Sequence, residues 1–223
     1  MKEYVSIVIP ALNEEKNLGR LMREVRHIMA GGSYEVIVVD GHSSDKTVDI
    51  AKSLGARVIY DRIGKGSALI RGLNAARGDV IVSMDADLSN EPKELGLLID
   101  SIRIGYDVCM GSRFMSGGNS EDISLVRKLG NRFFVTMVNI IFGGSYSDMC
   151  YGYRSFRKGI PKRLRLMEKG FGIETEINIK AVKLGLKVVE VPSVEKRRAA
   201  GDPKLRTFRD GYAILKTIIK NIR

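Results

Sequence analysis

Asp79-Val80-Ile81-Val82-Ser83-Met84-Asp85-Ala86-Asp87 is the stretch on which the fold turns: an apolar run of strand length that ends in two acids one residue apart. Three more strand-like runs stand before it. Residues 5–9 form a β-rich run closed by Pro10, residues 35–39 read as a buried strand, and residues 58–60 as a brief one. Helical stretches separate them, at 14–29, 45–54 and 67–76, and residues 92–103 supply the helix after the fourth strand. Continuous apolar strands alternating with helices predict an α/β chain with a parallel or mostly parallel sheet flanked by helices on both faces. Ligands of such sheets bind beyond the carboxyl ends of the strands. Three polar clusters sit there: Asn13 with Glu14, Asp40 with Ser43 and Ser44, and Asp85 with Asp87.

The second half is less regular. Leu125, Leu129, Phe133, Met137 and Ile141 keep a helical period, residues 177–184 read as a helix and residues 187–191 as a strand. A basic loop at 196–206 leads into a last amphipathic helix, and no repeat or linker divides the chain. The 223 residues, 44% hydrophobic and 28% charged with five prolines, describe one globular domain over 1–223. The net charge of +11 leaves two readings open, acidic partners or a solubilising surface. Cys109 and Cys150 form no CxxC pair and no disulfide framework, which suits a reducing, cytoplasmic setting. The chain enters a strand at once, without a signal-peptide apolar region. Its longest apolar candidate, residues 133–142, is about half of the roughly 20 residues a bilayer span needs, and Thr136 and Asn139 interrupt it.

Common nucleotide loops are absent. Residues 10–15 after the first strand are not glycine-rich, which excludes a dinucleotide fingerprint. Gly64-Lys65-Gly66-Ser67 has only a superficial likeness to a phosphate loop, and a turn opening a helix is the plainer reading. Asp85-Ala86-Asp87 carries more. Alternate residues on a strand point the same way, so two carboxylates around a small residue converge on one hard cation, and such a cation neutralises a departing diphosphate. Asp-x-Asp also recurs in ordinary turns, so its place after an apolar strand is what gives it weight.

An ordered set of motifs then points to a family. Residues 10–15, residues 39–47 with Asp40, Gly64-Lys65-Gly66 and Asp85-Ala86-Asp87 are followed by Gly111-Ser112-Arg113-Phe114, Arg127, residues 148–154 and residues 198–205. Together they resemble the family 2 glycosyltransferases of the A-type (nucleotide-diphospho-sugar transferase) fold, in particular the polyprenyl-phosphate branch that includes dolichyl-phosphate mannose and glucose synthases. The resemblance spans nearly the whole chain. It implies a nucleotide-binding half, 1–110, and an acceptor-binding half, 111–223. It implies transfer of a hexose from a nucleotide-diphosphate sugar, of the GDP-mannose or UDP-glucose type, to a polyprenyl or dolichyl phosphate. By the same resemblance Asp85 and Asp87 hold Mg2+ or Mn2+, and Pro10, Leu12, Glu14 and Asp40 line the nucleoside pocket, with Asn13, Lys65 and Ala86 in the donor site. Arg113, Arg127, Arg198 and Lys204 surround the phosphates, where guanidinium groups bind oxygens in pairs. The motifs are silent on the base, the sugar, the lipid's length and the oligomeric state.

Three positions depart from the family pattern. Gly41 stands where a second acid often follows Asp40, Ser89 replaces a Gln that can ligate the metal, and Pro203 replaces a common Ser. The resemblance implies a single inverting displacement. A saccharide hydroxyl would need a general base, for which Asp148 and Glu176 are the candidates, against bland readings as a turn cap and an exposed helix carboxylate. A lipid monophosphate needs none, because its second pKa of ~6 leaves it largely dianionic at neutral pH. The last helix aligns Leu205, Phe208, Tyr212, Leu215, Ile218 and Ile222, with Lys216, Lys220 and Arg223 elsewhere. That stripe fits either core packing or peripheral contact with an anionic membrane surface. Transfer to a saccharide hydroxyl is the nearest rival function. A nucleic-acid-binding module is disfavoured, since the aromatics, 7% of residues, lie in apolar runs rather than interleaved with basic ones.

Overall fold

In the computed structural model, which describes residues 3–201 and 207–222, four parallel strands carry the first half. β1 (Tyr4–Ala11), β2 (Ser33–Asp40), β3 (Arg57–Tyr60) and β4 (Val80–Ser83) are linked by helices α1 (Glu15–Ile28), α2 (Thr47–Ser53) and α3 (Lys65–Ala75). Ala11 of β1 lies opposite Asp40 of β2, and Ser83 of β4 opposite Val8, so the parallel strands all run toward one edge. A 3-10 turn (Pro92–Glu94), α4 (Leu95–Arg103), β5 (Val108–Ser112) and β6 (Asn119–Ser120) follow. Then come α5 (Leu125–Phe142), β7 (Arg154–Arg157), α6 (Ile160–Leu164), α7 (Ile173–Lys183), β8 (Val188–Pro192), β9 (Val194–Glu195) and α8 (Thr207–Lys220).

The main sheet runs β3-β2-β1-β4-β7-β5-β8, and β6 pairs with β9 in a small second one. Sequence alternation shows why helices cover both faces. Val5, Ile7 and Ile9 of β1 enter one core cluster while Val8 enters the other, and β2 divides Val36 and Val38 from Ile37 and Val39 in the same way. α3 lies close on β1: a Cβ at Gly72 would stand 2.3 Å from Val8 Cγ1, so this contact requires glycine.

The sheet is mostly parallel, as expected, with β7 antiparallel to both β4 and β5. Its sequence, Arg154-Ser155-Phe156-Arg157, has no apolar run, and Arg154 is nevertheless fully buried. The helix expected at 177–184 starts at Ile173, since its first turns bury Glu174, Thr175 and Glu176 along with Ile173 and Ile177 and so show no apolar period. The α5 stripe faces outward, and the α8 stripe is split, with Ile218 buried and Phe208 and Tyr212 exposed. α5 buries Asn131, Val135 and Val138 and exposes Leu125, Leu129, Phe133 and Ile141. α8 buries Asp210, Ile214, Thr217 and Ile218, while Phe208 is 87% and Tyr212 69% exposed. Leu205 and Arg223 of the expected stripe lie outside the described residues.

Candidate active site

The chain leaves β4 at Ser83 and passes into a tight turn, so Asp85 and Asp87 stand beyond the strand rather than on it. The turn, not the pleat, brings them together. Asp85 N–H donates to Asn90 Oδ1 at 2.7 Å, and the N–H and Oγ of Ser89 both donate to Asp87 Oδ1, at 3.0 and 2.6 Å. Leu88 takes a positive φ of 65° to close the turn, and Ala86 is buried beneath it. Ser89, which stands where the family often has a metal-binding Gln, therefore spends its hydroxyl on fixing Asp87. Burial raises the pKa of the Asp85 carboxyl, Lys65 opposes that shift, and the neighbouring charge of Asp87 adds to it.

Two basic side chains answer these acids. Lys65, in the first turn of α3, places Nζ 2.9 Å from Asp85 Oδ1 and 3.1 Å from Glu174 Oε1. Burial favours the neutral amine, but Asp85 and Glu174 outweigh it and hold the ammonium's pKa above its usual range. Arg198 bonds Asp87 Oδ2 through Nη1 at 2.9 Å and pairs with Glu14 through Nη2. It sits on a strap across the strand ends. The Lys196 N–H donates to Ser89 O at 2.9 Å, the Ala199 N–H to Asp87 O at 3.3 Å, and Ala200 O accepts from Asn17 Nδ2 at 3.1 Å.

Between strap, turn and α3 lies a cleft of about 590 Å3, a size that suits a small organic ligand. Of the residues singled out in the sequence, Pro10, Leu12, Glu14, Lys65, Asp85, Ala86, Asp87, Arg127 and Arg198 all line it. Its wall also includes Asp61, Arg62, Cys150, Tyr151, Gly152, Phe171 and Arg197, to which the sequence reading gave no role. Asp61 was within reach of that reading, because it follows β3 directly as Asp40 ends β2. Phe171 carries no such signal. Burial pushes the Cys150 thiol up to about 12, so it is not a nucleophile at neutral pH.

Other expected residues do not line this cleft. Asp40 is buried with both carboxylate oxygens taken by Ser43, through its N–H at 2.9 Å and its Oγ at 2.5 Å. Asn13, at φ 52°, accepts from the Ser44 N–H at 2.8 Å, so it ties the loops after β1 and β2 together. Arg113 and Asp148 form a buried bidentate pair, with Nε–Oδ2 at 2.7 Å and Nη2–Oδ1 at 2.9 Å, and Arg113 Nη1 reaches Glu195 at 3.1 Å. Burial lowers the guanidinium's pKa, yet its bonds to Asp148 carry it above the usual range. Asp148 also accepts from the Cys150 N–H at 3.2 Å, the turn-capping reading. Glu176 is not an exposed helix carboxylate. It is buried, accepts from the N–H groups of Met167 and Glu168 at 2.9 and 2.8 Å, and pairs with Lys180 at 2.7 Å. Lys204 lies outside the described residues.

The donor chemistry suits a hard divalent ion. Asp85, Asp87, Glu14 and Glu174 give four carboxylates in contact with two cations, Lys65 and Arg198, which leaves a surplus of negative charge for a dication to offset. No group of three or more His, Cys, Asp or Glu side chains among the described residues forms a metal cage. An ion on Asp85 and Asp87 would thus take its remaining ligands from water and phosphate oxygens, the habit of Mg2+. The buried pair gives a separate expectation for stability. Asp148→Ala should cost about 3–5 kcal/mol in urea unfolding, because it strands the buried Arg113 charge. Asp87→Ala, at the half-open edge of the cleft, should cost about 1 kcal/mol or less.

Comparison with known proteins gives the family and the fold. The model of Glycosyl transferase family 2 matches residues 6–165. A dolichol-phosphate mannosyltransferase of Pyrococcus furiosus is 36% identical over 210 residues, 91% of this chain, which spans 59% of that relative's length. A dolichyl-phosphate hexose transferase of Haloferax volcanii is 32% identical over 99% of this chain and 96% of its own. The glucosyl-3-phosphoglycerate synthase of Mycobacterium tuberculosis, solved with Mn2+, uridine diphosphate and glucosyl-3-phosphoglycerate, superposes with a TM-score of 0.78 at 23% identity. That superposition covers 99% of this chain and 80% of the synthase, and it speaks to the fold. With strands, acidic turn and family model in agreement, this chain belongs to glycosyl transferase family 2.

Proposed function

We propose that this glycosyltransferase moves a hexosyl group from a nucleoside diphosphate sugar to a polyprenyl phosphate, with Mg2+ or Mn2+ held by Asp85 and Asp87. The observation that carries the reading is the pair of carboxylates beyond the end of β4, facing a cleft that Arg127, Arg197, Arg198 and Arg209 also line. The dolichyl-phosphate transferases among the relatives supply the acceptor class. The 1–110 half would hold the donor and the 111–223 half the acceptor, on one continuous sheet.

When bound, the ion would neutralise the diphosphate as it leaves the anomeric carbon. The chain's own residues do the rest by placement. Pro10, Leu12 and Arg62 wall the nucleoside end of the cleft, and Lys65 stands beside Asp85 where diphosphate charge would fall. Arg127, on the first turn of α5, pairs only loosely with Asp122 at 3.8 Å and so is available to an acceptor phosphate. The reaction would be a single displacement with inversion, in which alignment replaces base catalysis.

The state of the two candidate bases favours a phosphate acceptor over a saccharide hydroxyl. Asp148 is clasped by Arg113, and Glu176 by two backbone N–H groups and Lys180. Neither lines the cleft. A phosphate dianion needs no such group.

A membrane surface is the further partner we infer. α5 and α8 pack together, and their outward faces present Leu129, Phe133, Phe208 and Tyr212, with Ile222 exposed just after α8. Lys128, Arg132, Lys216 and Lys220 are exposed on the same two helices. No described helix is long and apolar enough to cross a membrane, so contact would be in the interfacial plane.

Two experiments test these readings. Purified protein given GDP-mannose or UDP-glucose should label dolichyl or undecaprenyl phosphate in preference to saccharides. In that assay Asp87→Ala should lose on the order of 10²–10³-fold in transfer without loss of fold; wild-type turnover in the variant, or a preference for sugar acceptors, contradicts the proposal. For the surface, co-sedimentation with anionic vesicles should weaken roughly tenfold in a Phe208→Ser, Tyr212→Ser double variant, from the apolar area no longer buried. Absence of binding at low salt by the unmodified protein would rule the surface out.

A further inference from the structure

Lys65 belongs to two carboxylates at once, and the two contacts are unequal. Toward Asp85 the ammonium makes a 2.9 Å ion pair with Oδ1 and a 3.3 Å hydrogen bond to Oδ2. Toward Glu174 it stands 3.1 Å from Oε1, but that oxygen has no aligned hydrogen-bond donor although it is buried. Glu174 thus keeps acceptor capacity in reserve beside a cation that leans the other way, and a buried acceptor left short of a donor is costly.

The surroundings fix the lysine's root and leave its tip two places to go. A Cβ at Gly66 would lie 2.4 Å from Glu168 O and one at Gly64 2.7 Å from Lys169 O, so the start of α3 is seated directly on the segment that leads into α7. This seat, rather than a phosphate loop, accounts for the Gly-Lys-Gly motif. A Cβ at Gly152 would stand 3.1 Å from Asp85 Oδ2 and 3.3 Å from Lys65 Nζ, so backbone closes that side. The ring of Phe171, 5.8 Å from Nζ, lines another. The flexible four-carbon stem can therefore swing between Asp85 and Glu174 and little else.

We propose that Lys65 is a resident cation that holds Asp85 until the divalent ion arrives, and that Glu174 is the carboxylate onto which it is displaced. The idea rests on the reading of Asp85 as a metal ligand. A tethered ammonium on Asp85 competes with free metal for the same oxygens. A metal that comes with a diphosphate brings additional ligands and wins, so metal and nucleotide enter together. Glu174 lowers the cost of the exchange by giving the displaced ammonium a full partner. Glu174 is in this sense a positioning residue, acting through Lys65.

The test is Mn2+ binding without nucleotide, read from the EPR signal of free Mn2+ at several protein concentrations. Lys65→Met, with Lys65→Gln as a polar alternative should the first not fold, should bind Mn2+ about tenfold more tightly than the unmodified protein, within the usual span of coupled sites. Glu174→Gln should bind it several-fold more weakly, and that effect should vanish in the Lys65→Met background, as a double-mutant cycle requires of residues that act through each other. Unchanged or weaker binding in both Lys65 variants overturns the inference. So does an equal loss from Glu174→Gln in either background, which would mark a plain field effect. A parallel arm with GDP or UDP separates the two claims: Mn2+ held there while the nucleotide-free variants do not shift sinks the exchange alone, whereas no Mn2+ in any arm sinks the metal reading and the exchange with it.

Discussion

Carboxylates brought close together in a half-buried cleft repel one another and are answered by positive charge, and the turn after β4 gathers two of them at the centre of the sheet's working edge. Much of the local architecture serves that constraint. Asn90 and Ser89 fix the turn, α3 delivers Lys65 from one side, and the strap at 196–201 delivers Arg198 from the other. Glu174 and Glu14 then brace the two cations from behind. The acidic turn is thus tied to α1, α3, α7 and the strap by charge, while the sheet beneath is held by apolar side chains on both faces.

The same logic separates residues that touch ligand from residues that build the wall. Arg113 and Asp148 satisfy each other at full burial and hold the loop that carries Cys150, Tyr151 and Gly152 into the cleft. Asp40 and Asn13 spend their polar atoms on the loops after β2 and β1. Arg127 and Arg198 stand in the cleft itself. Chemistry-bearing side chains in one motif therefore divide into contact and support according to how completely their neighbours satisfy them.

Much of the fold was legible because β1, β2 and β4 are apolar on both faces and the helices between them have clear periods. The acidic turn was legible because it follows such a strand. β7 was hidden: four residues with two arginines carry no strand signal, and only the tertiary setting buries Arg154. The first turns of α7 were hidden for the same reason, with Glu174 and Glu176 buried by partners distant in sequence. On α5 the apolar stripe faces away from the core, and on α8 it divides between a buried Ile218 and an exposed Phe208 and Tyr212, because periodicity does not say which face meets the core. The role of Glu174 depends on a lysine 109 positions away, a relation that no local pattern encodes.

The account stands or falls on an ion gripped by Asp85 and Asp87 that in turn grips a diphosphate. Crystals grown with Mn2+ and GDP or UDP, with diffraction collected at the manganese edge, test it directly. An anomalous peak between the two carboxylates, bonded also to diphosphate oxygens, is the predicted result. A nucleotide seated in the cleft with no such peak, or with manganese bound elsewhere, would contradict it.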